Sequence, residues 1–146
     1  MTNETIRKFG YPGTLVRDYE HWVVLLRPAQ VTLGSLVLAA KGGATAFGAL
    51  PPGAHAELAK VTGQMEATLA AAIAYERINY LMLMMVDPHV HFHVIPRYEG
   101  CRSIGGSQVE DRGWPGQPDL GAAQALPAAD FERLHQKLTQ NWLITH

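Results

Sequence analysis

A single cysteine, Cys101, stands in a chain of 146 residues. That excludes an intramolecular disulfide and a zinc site built from several thiolates. An excess of one charge is also missing. Twelve lysines and arginines face thirteen aspartates and glutamates, a formal net charge of −1. A polycationic nucleic-acid binder and a membrane-surface protein are therefore not expected. Long apolar runs are missing too: "WVVLL" and "YLMLMMV" fall far short of the roughly 20 residues that span a bilayer. The opening "MTNETIRKFG" holds no apolar stretch of the kind a secretory signal needs, so a cytoplasmic location is the expectation. No internal repeat is visible. What is present is 47% hydrophobic content, enough for a single globular domain over residues 1–146 with one core.

The elements follow from periodicity. "HWVVLLRP" carries a short continuous apolar run, Trp22 to Leu26, closed by Pro28, which predicts a buried strand. "SLVLAA", Ser35 to Ala40, predicts a second, and the short connection between them predicts an antiparallel pair. From Ala54 to Tyr75 the period becomes helical, with Leu58, Val61, Met65, Leu69 and Ile73 on one face and alanine filling much of the rest. Pro51 and Pro52 stand ahead of it, where proline suits a helix start. "NYLMLMMV" predicts a strand buried on both faces, interrupted by Asp87-Pro88. Residues 99–127 change character, with six glycines and three prolines. A stretch so rich in glycine predicts a functional loop, an arm packed on a partner subunit or partial disorder, with Trp114 docked on some surface. Phe131, Leu134, Leu138 and Trp142 then mark an amphipathic C-terminal helix over residues 128–142.

The stretch that carries chemistry is "DPHVHFHVIPRY", Asp87 to Tyr98. Three of the seven histidines, His89, His91 and His93, occupy alternate positions and so share one face of a strand, while Val90, Phe92 and Val94 share the other. Folding asks only that one face be apolar; it does not ask for three imidazoles on the other. A solvated face rich in histidine by chance is one reading. A metal site is a second, but His89 and His93 lie about 13 Å apart along a strand, too far for one ion to collect all three without help from Asp87, His21 or His55. A phosphate-reacting site is the third. A neutral imidazole with one nitrogen pinned and the other free attacks phosphorus and carries a transient phosphoramidate. Flanking imidazoles supply donors to the phosphoryl oxygens. With a neighbour about 6.6 Å away on each side, His91 is the expected nucleophile and His89 and His93 its support.

"HVHFHVI" resembles the histidine triad motif, in which three histidines alternate with hydrophobic residues and two further hydrophobic residues follow. All seven positions match, and the "PRY" beyond is similar to the family's usual continuation. The resemblance covers about residues 16–98, in the family's order of strand, strand, helix, strand. It implies an α+β fold, an antiparallel sheet of about five strands with one long helix and a C-terminal helix, usually paired as a homodimer. It implies hydrolysis or transfer of a nucleotidyl group from nucleoside phosphates, dinucleoside polyphosphates or phosphoramidates, with no cofactor and no metal. Carried over by position, His91 attacks the α-phosphorus, His93 contacts the phosphate and His89 orients the nucleophile.

Three departures from the family pattern bear on the substrate. Ser35 stands where many members place a histidine ahead of the second strand, and is the expected supporting or phosphate-binding hydroxyl. Arg27 stands where many members carry an acidic or amide residue for the ribose hydroxyls; a guanidinium donates only, and suits a phosphate or carboxylate. The polar loop before the triad is shortened to about residues 86–88, with Asp87 either close to the phosphate or serving as a turn residue. Arg97, Arg102, Ser103 and Lys41 are candidates to replace the missing phosphate donors, Arg97 first among them. A small nucleotide or phosphate ester is the expected partner. A non-catalytic module that holds such an anion is the alternative function, and a histidine-metal enzyme a further one. His21, His55, His135 and His146 are expected at the surface or in structural roles.

Overall fold

The computed structural model describes residues 2–143; His146 lies outside them. In chain order the elements are α1 (Glu4–Lys8), β1 (Leu15–Asp18), β2 (Trp22–Leu26), β3 (Ala29–Gln30), β4 (Leu36–Ala40), α2 (Pro52–Ile73), β5 (Arg77–Leu81), β6 (His91–Arg97), β7 (Cys101–Ile104), β8 (Ser107–Glu110), β9 (Gln124–Ala125) and α3 (Ala128–Gln140). Five strands make one antiparallel sheet in the order β1-β2-β4-β6-β5. The fold is α+β, as the periodicities and the family resemblance implied.

β2 and β4 are buried at every position because helices cover both faces of the sheet there. On one face, Val24, Leu36, Leu38 and Val94 join Val61, Met65, Leu69 and Ile73 of α2 and Leu134 and Leu138 of α3 in the main core. Pro52 occupies the start of α2, where its missing N–H costs nothing. On the other face a smaller cluster gathers Val23, Leu25, Val37 and Ala39 under Ile6 and Phe9. This second layer comes from α1, which has no long apolar period and was not anticipated.

Three expectations need correction. "NYLMLMMV" does not run as a strand to Val86. β5 ends at Leu81 and is half-buried at the sheet edge. Met84 turns the chain with φ 52°, a conformation few non-glycine residues adopt, and Met85 and Val86 stand exposed. The connection to β6 therefore spans residues 82–90, not the three residues 86–88. β6 itself begins at His91, so His89 precedes the strand instead of lying within it. Residues 99–127, expected as a functional loop, a partner-packed arm or a partly disordered stretch, carry strands of their own. They hold the hairpin β7–β8, and β9 pairs with β3 of the same chain. α3 ends at Gln140; Trp142 lies just past it, buried, with its Nε1–H donating to the Tyr19 hydroxyl at 2.9 Å.

Candidate active site

The site is set by register. Val37 faces His93 and Ala39 faces His91 across the β4–β6 ladder, so the two imidazoles stand on the face lined by the small cluster of Val23, Leu25, Val37 and Ala39. Phe92 and Val94 point the other way, into the main core. Small and β-branched residues on the neighbouring strand leave room for two rings side by side. The His91 and His93 rings lie 5.1 Å apart, nearly perpendicular. Phe9 closes over both, with its ring 5.7 Å from each.

Each histidine has a different partner at Nδ1. Nδ1 of His91 lies 2.8 Å from the backbone oxygen of His89. A carbonyl can only accept, so Nδ1 carries the proton and Nε2 keeps its lone pair. His91 is only 2% exposed. Nδ1 of His93 lies 3.5 Å from Nε of Arg27, a long contact in which the guanidinium donates and Nε2 of His93 keeps the proton. Burial first, then the charges of Arg27 and His91, push the His93 pKa down to about 4, against a smaller opposite pull from Asp87. His93 is thus neutral at ordinary pH, a donor through Nε2. Nδ1 of His89 lies 3.0 Å from the Thr5 hydroxyl. Thr5 and Phe9 are contacts that no periodicity pointed to, because both come from outside the motif-bearing strand.

Arg27 is the one expected cation that reaches the triad. It sits just past β2, half-buried, and burial lowers its pKa somewhat from the usual arginine value. One Nη is held by the backbone oxygen of Ala29. The turn beyond is built on Gln30, fully buried, whose amide donates to the backbone oxygens of Arg27 and Ser35 and whose Oε1 accepts from the N–H groups of Gly34 and Ser35. Gly34 has φ 91°, and a Cβ there would meet Ile73 Cγ1 at 2.9 Å, so both conformation and space call for glycine.

The other expected donors lie elsewhere. Ser35 is fully buried in that turn; its hydroxyl donates to Thr32 O at 2.8 Å and accepts from Thr32 N at 3.1 Å, and it does not open onto the triad. Arg97 is spent on Asp111, with Nε and Nη2 at 2.7 and 3.1 Å, and on Asn79 Oδ1 at 2.7 Å. It stands six residues beyond His91, about 20 Å along a strand, too far for one phosphate to bridge them. Lys41 pairs with Asp18 at 2.7 Å. Arg102 donates to the backbone oxygens of Ile73 and Ala74 at the end of α2 and stacks on Tyr98, while Ser103 is exposed on the β7–β8 hairpin. Asp87 pairs with Lys8 at 2.7 Å, which compensates the charge beside the triad. His21 and His135 are half-buried, His55 exposed.

A pocket of about 210 Å³ opens at His91 and His93, walled by Leu83, Met84, Met85, Val86 and Asp87. A larger one, about 310 Å³, lies further along the sheet, lined by Arg77, Asn79, Arg97, Trp114 and Pro115; no histidine borders it. Among the described residues no three histidine, cysteine, aspartate or glutamate side chains converge as a metal site, and no helix is long and apolar enough to cross a membrane.

Several solved structures share this arrangement of sheet and helices. A histidine triad protein from Sinorhizobium meliloti is 22% identical and superposes with a TM-score of 0.75 over 97% of this chain and 96% of its own. The chain has the histidine triad fold. A histidine triad protein from Bradyrhizobium japonicum is 17% identical, with a TM-score of 0.75 over 98% of each chain. A hypothetical histidine triad nucleotide-binding protein from Sulfolobus tokodaii is 20% identical, with a TM-score of 0.68 over 94% of this chain and 88% of its own. No family model matches the sequence, and no curated protein does either.

Proposed function

We propose that this histidine triad chain hydrolyses or transfers a nucleotidyl group with His91 as nucleophile. The observation that carries the reading is the 2.8 Å contact between His91 Nδ1 and the His89 carbonyl, which in the neutral ring leaves the lone pair on Nε2. In the first step the Nε2 lone pair forms a bond to the α-phosphorus. The bond from phosphorus to the leaving group breaks, and its electron pair goes with that group, which takes up a proton from solvent; the water of the second step gives one back as it attacks. His93, neutral and protonated at Nε2, donates to a non-bridging phosphoryl oxygen as charge gathers there; Arg27 adds a positive charge behind it. In the second step water attacks phosphorus, the phosphorus–nitrogen bond returns its pair to Nε2, and a nucleoside monophosphate leaves. No metal is required, since an imidazole and a guanidinium carry the charge.

The substrate class is a nucleoside phosphoramidate or a dinucleoside polyphosphate, bound by a homodimer. The fold's likeness to triad proteins and to one named as nucleotide-binding supports it. Incubating the protein with both classes tests it. Turnover with a nucleotidyl adduct on His91, seen by mass spectrometry after acid-free quenching, is expected, and His91→Asn should lose activity by at least about a thousandfold. Turnover untouched by His91→Asn overturns the assignment. Light scattering at micromolar concentration that gives a monomer overturns the dimer.

A second reading, an anion-binding module without turnover, is favoured by the apolar wall Leu83–Val86, where phosphate donors would serve a hydrolase. It predicts saturable nucleotide binding by calorimetry and no adduct.

A further inference from the structure

α1 is too short to stand alone. Five residues cannot repay helix nucleation in water, and this helix is fixed from outside. Asn3 caps it, accepting from Ile6 N at 2.9 Å, while its amide donates to the backbone oxygens of Ala40 and Gly42 at 3.0 and 2.9 Å. Ile6 is fully buried against the sheet. So anchored, α1 touches the whole triad: Thr5 meets His89, Lys8 meets Asp87, and Phe9 covers His91 and His93.

His89 is the member that most needs such support. It precedes β6, and the peptide that carries its carbonyl is held on the backbone side only by the Val90 N–H, which donates to Ala44 O at 3.3 Å; that carbonyl is the acceptor at Nδ1 of His91. What orients residue 89 is its side-chain contact to the buried Thr5 hydroxyl, together with the Lys8–Asp87 pair two residues upstream and the backbone bonds of Val90.

We propose that Thr5 is a positioning residue of this site: its hydroxyl donates to Nδ1 of His89, so that the His89 carbonyl is aimed at His91 and the proton of the His89 ring is kept on Nε2. The proposal rests on His91 being the nucleophile. Its logic is a two-link chain, Thr5 to the His89 ring and the His89 backbone to the His91 ring.

Thr5→Val keeps the shape and deletes the donor; Thr5→Ser keeps the donor. The first readout is the imidazole nitrogen spectrum, which needs no substrate. In the wild type His89 is expected as the Nε2–H tautomer and His91 as Nδ1–H. Thr5→Val should convert both to mixtures, and Thr5→Ser should restore them. The second readout is hydrolysis of adenosine 5′-phosphoramidate. Thr5→Val should lower kcat roughly tenfold to a hundredfold with KM within about twofold, and Thr5→Ser should recover most of it. Should Thr5→Val fail to fold, Lys8→Met loosens the same peptide from an exposed position and should shift the His89 signals in the same direction. Unchanged nitrogen signals in Thr5→Val, or His89 found as Nδ1–H in the wild type, overturn the proposal. A wild type with no turnover sinks the catalytic reading instead, and the nitrogen spectra still decide the role of Thr5.

Discussion

Replacing Arg97 with methionine separates a structural role from a ligand-binding one. Its guanidinium is 4% exposed, and the Asp111 side chain it faces is 1% exposed. Two oppositely charged groups about 4 Å apart attract by roughly 4 kcal/mol at an effective dielectric constant near 20. Methionine fills the volume but leaves Asp111 buried without its cation, a change that costs about 3–5 kcal/mol in comparable sites. For a chain of this length each kcal/mol moves Tm by roughly 2–4 °C, so calorimetry should show a fall of about 6–20 °C. The double variant Arg97→Met, Asp111→Asn should regain only part of this. Asn removes the stranded charge, but Asp111 also accepts from Tyr98 N and Gly113 N, both at 3.2 Å, and one amide oxygen cannot replace two carboxylate oxygens for both. Below the lowered Tm, nucleotide affinity should stay within about threefold of wild type, because Arg97 lies about 20 Å along the strand from His91. An Arg97→Met protein that keeps its Tm and loses nucleotide binding would refute the reasoning and return Arg97 to the phosphate-binding role its place beside the motif implied.

His93 carries a pH signature. Its folded pKa of about 4 lies below the 6.5 of a free histidine, so between those values the unfolded chain binds more protons than the folded one. Stability from this group is therefore intact above about pH 6.5, declines as pH falls, and levels off below about pH 4; His93→Gln should flatten that limb in denaturant titrations recorded from pH 4 to 7, and an unaltered slope would contradict the burial of His93. Phe9→Ala opens the face that the two rings share. It should raise the His93 pKa toward 6.5, read by proton NMR, and cost about 3–5 kcal/mol at most if the site cannot collapse, less because Phe9 is only partly buried. Arg27→Met should also raise the His93 pKa, by removing the positive charge, and weaken nucleotide binding.

The sheet was legible wherever a period was strong. Trp22–Leu26, Leu36–Ala40 and α2 fall close to where their apolar patterns placed them, because each buries a face against a neighbour of its own kind. His91 and His93 were legible because alternation in a strand is a geometric statement that survives without a partner; His89, which precedes β6, was not placed by it. The failures share a cause. β5 and the connection after it read as one strand because Leu83, Met85 and Val86 are as apolar as the core, and only their exposure tells otherwise. Arg97 looked free because its partner Asp111 lies 14 residues away on a segment that composition marked as irregular. Ser35 looked like a site hydroxyl because its place in the motif is a site position in related chains; that it closes a turn on Thr32 depends on the whole loop from Arg27 to Ser35. Thr5 and Phe9 went unseen because a five-residue helix carries almost no periodic signal.

Those misses fall at the two ends of one strand. β6 is gripped at its start by α1, through Thr5, Lys8 and Phe9, and at its end by the glycine-rich segment, through Asp111 on Arg97 and on Tyr98 N. Both grips come from chain that lies outside residues 16–98, where the motif and its strands reside. The two differ in kind. The Asp111 grip is buried, charged and far from the imidazoles, so its loss should appear as lost stability at unchanged ligand affinity. Apart from the packing of Phe9, the α1 grip is one neutral hydrogen bond and one exposed ion pair, each small on the scale of folding, so loss of either should appear chiefly in the tautomers and reactivity of the triad. A nucleophile that depends on a single carbonyl for its proton placement is sensitive to a displacement that hardly registers in the free energy of folding. That is why the weaker of the two grips is the one expected to govern turnover.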